Sequence, residues 1–177
     1  MIIETCFASL PEMHPELEWQ EIAAAAVSVL EDCGFESPFE VQLELIEMPG
    51  FGTEQVVLLI HKRGIPAERV ARVRRTFDTT RRVELAAIAM TGLGLYHGGS
   101  HEIVDIAVRG SGADYLIDAA HHPCEIAGRS RQSDFAIAWQ QRFERVSERA
   151  RGGFYLGVFE FQSPTGKILF QAKTAET

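Results

Sequence analysis

The sequence predicts an α+β fold, a mixed β-sheet flanked by helices in which an αβββαβ run follows an N-terminal αββ extension. Three observations carry this. Residues 39–48 (FEVQLELIEM) alternate apolar and polar side chains, the period of a half-buried strand. Residues 16–32 and 134–149 instead repeat apolar side chains at helical spacing. Between residues 102 and 127, three short apolar runs follow one another, divided by a glycine turn and a short loop.

In the first helix, 16–32, Trp19, Ile22, Ala26 and Leu30 share a face, and Gly34 follows as a stop signal. Phe39, Val41, Leu43 and Leu45 form the buried face of the strand after it. Pro49-Gly50-Phe51-Gly52 breaks that strand, and the continuous apolar run 55–61 (QVVLLIH) predicts its hairpin partner. Pro66 suits the start of a helix (AERVARVRR), which 77–80 interrupt. A second helix spans 81–96, with Gly92 and Gly94 weakening its last turn. Strands are predicted over 102–108, 113–118 and from Cys124 to Ala127. Ser133 is placed to cap the helix 134–149, whose apolar stripe is Phe135, Trp139, Phe143 and Val146. Strands 154–161 and 168–170 close the pattern. There is no internal repeat, low-complexity tract or long linker.

A chain of 177 residues can bury one core, or one core with a small appended unit. No stretch has the roughly 18 apolar residues of a membrane span. The opening MIIETCFASL lacks the basic segment of a signal peptide. A cytoplasmic location and no membrane partner are therefore expected. Cys6, Cys33 and Cys124 are odd in number, without a CxxC pair, which argues against a disulfide framework or zinc ribbon.

Net charge is -8, but its distribution is uneven. Residues 1–61 carry 12 of the 25 acidic side chains and no lysine or arginine. Residues 62–82 hold Lys62, Arg63, Arg69, Arg72, Arg74, Arg75, Arg81 and Arg82 against Glu68 and Asp78. The boundary divides an acidic N-terminal region, 1–61, from a core with basic helices, 62–177. Opposite charges of this kind can pair within the chain, dock one copy or a protein partner on another, or face a polyanion.

From residue 81 the order is helix, three strands, helix, strand. This resembles the core of the PD-(D/E)XK nuclease superfamily, over residues 81–161. The resemblance implies a restriction-endonuclease-like core and an acidic site drawn from three elements. Glu84 stands on the first helix (RRVELAAIA), Asp114 on the second strand (GSGADYLID) and Glu125 on the third (PCEIAG). Their implied role is to ligate Mg²⁺ or Mn²⁺, hard cations that take oxygen ligands and activate a water for attack on a phosphodiester. Arg72, Arg74, Arg75, Arg81, Arg82 and Arg131 would then grip the nucleic-acid backbone.

The chain departs from the family two residues after the glutamate, where Ala127 replaces the lysine that handles the attacking water. Arg129 has the same strand parity and can stabilise negative charge, but a guanidinium cannot accept a proton. Simpler readings stand beside these roles: Asp114 as a cap on the Gly110–Gly112 bend, Glu125 as a solvent-facing partner of Arg129 or Arg131, and Glu84 as a helix residue paired with nearby arginines.

The functional expectation is a nuclease-like fold that binds nucleic acid or protein. The alternatives are an active Mg²⁺-dependent phosphodiesterase and a non-catalytic assembly subunit. His97, His101, His121, His122 and Cys124 invite a zinc reading, but their spacing matches no structural zinc pattern. No P-loop, GxSxG or HExxH motif is present.

Overall fold

A computed structural model describes residues 1–173. In order, the elements are β1 (Ile2–Cys6), a 3-10 turn, α1 (Leu10–Met13), α2 (Gln20–Asp32), β2 (Phe39–Met48), β3 (Gly52–His61), α3 (Ala67–Thr76) and α4 (Thr79–His97). They continue with β4 (Ile103–Ile106), β5 (Tyr115–Ile117), β6 (His122–Arg129), a second 3-10 turn, α5 (Phe135–Arg149), β7 (Phe154–Glu160) and β8 (Thr165–Gln171). The eight strands form one sheet in the order β1-β3-β2-β8-β7-β6-β5-β4. It is mixed: β1/β3, β2/β8 and β6/β7 are parallel and the other pairs antiparallel.

The α+β class and the helix-flanked sheet are as the sequence predicts, and β2 keeps its predicted bounds. Phe39, Val41, Leu43 and Leu45 are buried, while Glu40 and Gln42 between them are exposed. Strand β1 carries no alternation that would announce it; it exists by pairing with β3, Ile2 opposite Val57.

Helix α2 starts at Gln20, later than the periodicity suggests. The Trp19 indole turns into the core and its Nε1 donates to the His14 carbonyl at 2.8 Å, which bends the chain before the helix. His14 is itself fully buried. Its Nδ1 accepts from the Ile103 amide at 3.0 Å and its Nε2 donates to the Gly92 carbonyl at 2.8 Å. One imidazole thus ties the N-terminal segment to α4 and β4.

Asp78 starts α4 by accepting from the Arg81 amide at 2.8 Å. This helix is buried from Leu85 to Leu95, and its two glycines sit inside it without ending it. Their role is closeness: a side chain at Gly94 would meet Ile168 and Leu43 on the sheet. Helices α1, α2 and α4 share one core with one sheet face. Helix α5 covers β6 and β7 on the other face, through Ala138, Leu156, Val158 and Ala127. The second 3-10 turn precedes α5, so Asp134 rather than Ser133 stands at its N-cap, with no side-chain bond.

Along β6, side chains alternate between these layers. Cys124 and Ile126 join the α4 side, and Ala127 packs under α5. Gly128 brings β6 against the start of α4. A Cβ there would stand 2.5 Å from the Val83 carbonyl oxygen, a backbone atom of that helix. Gly128→Ala is therefore expected to destabilise the fold by about 1–3 kcal/mol in urea denaturation. A change below about 0.5 kcal/mol would show that α4 yields at no cost.

A candidate phosphate-binding cleft between α4 and α5

Strand β5 is shorter than β6. It pairs with His122 through Cys124, and beyond that point β6 has β7 on one side only. The first amide past the end of the pairing, Ile126 N–H, is taken by a side chain: Asp114 Oδ2 accepts from it at 2.8 Å. The backbone of Asp114 also donates to the Cys124 carbonyl at 2.9 Å. Asp114 is thus a cap on the β6 edge, not on the Gly110–Gly112 bend.

The gap beside that edge is a cleft of about 350 Å³. Arg81 and Glu84 line it from α4, Asp114 from the start of β5, Arg129 from the end of β6 and Arg142 from α5. Of the predicted residues, Glu84, Asp114 and Arg129 therefore reach one space. Glu84 is half-exposed and faces Arg81 at 3.1 Å, as a helix pair three residues apart. The Arg129 Nη1 donates to the Gly128 carbonyl at 2.7 Å.

Glu125 is placed differently from a solvent-facing strand residue. It is 0% exposed and points toward α5. Its Oε1 accepts from Arg142 Nη1 at 2.5 Å, with Arg145 Nη1 3.5 Å away, and its Oε2 has no partner. Burial and the Asp114 charge push the Glu125 carboxyl above its ordinary value, against the pull of the two guanidiniums. Among the described residues no three His, Cys, Asp or Glu side chains gather as a metal-holding group.

Arg142 and Arg145 escaped the sequence reading. One signal was present: Arg142 lies midway between Ala138 and Val146, both buried, on the apolar face of α5. A charge on such a stripe calls for a buried partner.

Several predicted contacts to nucleic acid are spent inside the chain. Glu31 and Asp32 end α2, where the helix dipole disfavours acids. Lys62 meets Glu31 at 2.9 Å, Arg74 meets Glu31 and Asp32 at 3.0 Å each, and Arg82 meets Asp32 at 2.6 Å. Burial alone would raise the Glu31 carboxyl; the bonds from Lys62 and Arg74 outweigh it and hold it below its ordinary value. The acidic 1–61 region and the basic 62–82 segment thus attract each other within one molecule. Arg72 pairs with Glu68 at 3.1 Å, while Arg75 and Arg131 are exposed.

The histidines disperse. His97 bonds Thr5, His101 lies between Asp118 and the Pro49 carbonyl, and His122 contacts the Gly153 carbonyl. Cys124 is fully buried, which pushes its thiol well up and away from nucleophilic use. Among the described residues no helix is long and apolar enough to cross a membrane. No family model, curated protein or solved structure matches this chain.

Proposed function

We propose that this chain is a nuclease-like module that binds the phosphate backbone of a nucleic acid in the α4–α5 cleft without cleaving it. The resemblance to the PD-(D/E)XK core rests on the order α4-β4-β5-β6-α5-β7, with Asp114 at the head of the second strand and Glu125 on the third. The observation that carries the loss of cleavage is the Arg142–Glu125 contact, beside an Ala127 that has no proton-handling group.

The residues present do not fit Mg²⁺ or Mn²⁺ held by Glu84, Asp114 and Glu125. Glu84 is taken up with Arg81, and Asp114 gives Oδ2 to the Ile126 amide. A divalent ion on Glu125 would sit beside two guanidiniums that already balance that carboxylate. The arginine of the cleft that no carboxylate pairs with among the described residues is Arg129, and exposed Arg131 stands just beyond the end of β6; both suit a phosphodiester.

The test is fluorescence anisotropy with a labelled oligonucleotide in EDTA. Binding is expected at about 50 mM salt and should weaken steeply by about 200 mM. Arg129→Ala/Arg131→Ala should weaken it about tenfold or more, equally for different sequences. No binding at low salt would overturn the reading. One observation favours a metal-dependent phosphodiesterase, the unpartnered Glu125 Oε2. Plasmid cleavage with Mn²⁺ that disappears in Asp114→Ala would establish that second reading.

A further inference from the structure

We propose that the open half of the sheet, formed by β1, β3, β2 and β8 on the α5 side, docks an amphipathic helix of a protein partner that carries lysine or arginine along both flanks of an aliphatic stripe.

The register shows which side chains share this face, because directly opposed residues on neighbouring strands point the same way. Val158, packed under α5, opposes Lys167, which opposes Glu44, which opposes Gln55. The next row is Thr165, Gln42, Val57 and Ile2, and the row after it is Glu40, Leu59 and Glu4. These four strands therefore continue the face that α5 covers over β6 and β7. The cover ends at β8, where Lys167 Nζ lies 6.0 Å from the Trp139 ring centroid. Beyond Lys167 the face is open: Ile2, Glu4, Glu40, Gln42 and Gln55 are exposed, and Val57 and Leu59 are half-buried.

A sheet face left to water is ordinarily polar. Here β3 instead carries Val57 and Leu59 along its centre, with Ile2, 71% exposed, beside Val57. Carboxylates flank this aliphatic strip: Glu4 on β1, and Glu40 and Glu44 on β2. Glu4 and Glu40 both oppose Leu59, one from each side, so their strands stand about 10 Å apart. That is the width of one α-helix with its side chains. Lys167 meets Glu44 at 3.0 Å and His61 meets Glu4, while Glu40 has no basic partner among the described residues.

The charge selects the occupant. Residues 1–61 hold no lysine or arginine, so β1, β2 and β3 supply neither to this face. Two copies meeting through it would set Glu4, Glu40 and Glu44 against themselves. A phosphate backbone is repelled for the same reason. A helix with an aliphatic stripe would cover Val57 and Leu59, and its basic flanks would meet the glutamates on either side.

Fluorescence anisotropy tests this with a labelled synthetic helix of about 18 residues, leucine on one face and lysine on the other. Wild type should bind it at about 50 mM salt, and should not bind the same peptide with glutamate in place of lysine. Glu4→Lys/Glu40→Lys should weaken binding about tenfold or more. Glu16→Lys/Glu18→Lys, an equal charge change on the exposed segment before α2, should leave it within about twofold. Leu59→Thr, which keeps the charge and suits a strand, should weaken it about threefold or more. Equal weakening by the two charge-reversed pairs would reduce the attraction to net charge and overturn the proposal. So would a wild type that does not bind the lysine peptide. Salt-sensitive self-association in sedimentation that Glu4→Lys/Glu40→Lys abolishes would seat a second copy on this face and overturn it as well.

Discussion

Replacing His14 by alanine is expected to cost about 3–5 kcal/mol in stability, a large share of what a domain of this kind has. The imidazole bridges two elements at once. It accepts from Ile103 N–H and donates to the Gly92 carbonyl, with no solvent access. Alanine leaves the buried Ile103 amide without that acceptor, removes the tie to α4 and leaves a void beside Trp19, whose ring centroid lies 5.3 Å from that of His14. Urea denaturation measures the loss, and the melting temperature should fall by about 2–4 °C for each kcal/mol.

The same side chain sets a pH dependence. Burial lowers the His14 pKa below its ordinary 6.5, outweighing the Gly92 hydrogen bond and the Asp118 charge, which raise it. As pH falls below 6.5, the unfolded chain takes up the proton first. Stability from this group is therefore complete above that pH and declines below it, by at most about 1.4 kcal/mol per pH unit. His97, also lowered by burial, acts in the same direction. Comparing wild type with His14→Gln across pH 5–7.5 separates the two. The glutamine variant should show the shallower decline, and equal slopes would assign the effect elsewhere.

Arg142→Ala is the second large effect. It strips the closest positive charge from a carboxylate with no exposed surface, and breaking such a pair costs about 3–5 kcal/mol. Arg145 stays near Oε1, so the lower end, about 3 kcal/mol, is expected. The loss should shrink in acid, where Glu125 takes up a proton and no longer needs the partner. It should grow as pH rises past the ordinary carboxyl value of 4.5, because the folded-state pKa is already raised. The double variant Arg142→Ala/Glu125→Gln should recover about 2 kcal/mol of the loss. Full additivity of the two single changes would mean that the contact carries no coupling.

How much of this was legible in sequence depended on whether a signal was local. The alternation at 39–48 is local, because one face of β2 lies on the core and the other does not. Strand β1 is not: five residues with Ile2 exposed become a strand only through β3. The acidic residues of the cleft were found from residue type and element order, and Glu84, Asp114 and Arg129 do share a space. Glu125 was identified as a site residue, but its burial was not legible, and the simpler solvent-facing reading fails because α5 lies over β6 and β7. The choice of Arg142 as its partner is likewise tertiary, fixed by how α5 seats Ala138 and Val146. The basic segment 62–82 showed its charge plainly and concealed its use, since Glu31 and Asp32 are distant in sequence and adjacent in space.

The position of β8 has a temporal consequence. It joins the sheet's two halves, pairing with β2 through Gln42↔Thr165 and with β7 through Glu160↔Thr165. During synthesis β1, β2 and β3 emerge first, yet they cannot connect to β7 until residues 165–171 have left the ribosome. Until then β2 presents an unpaired edge, the kind of surface on which other strands associate. Assembly should therefore be slow, governed by long-range pairing, and the β2 edge is where aggregation of nascent or truncated chains would begin.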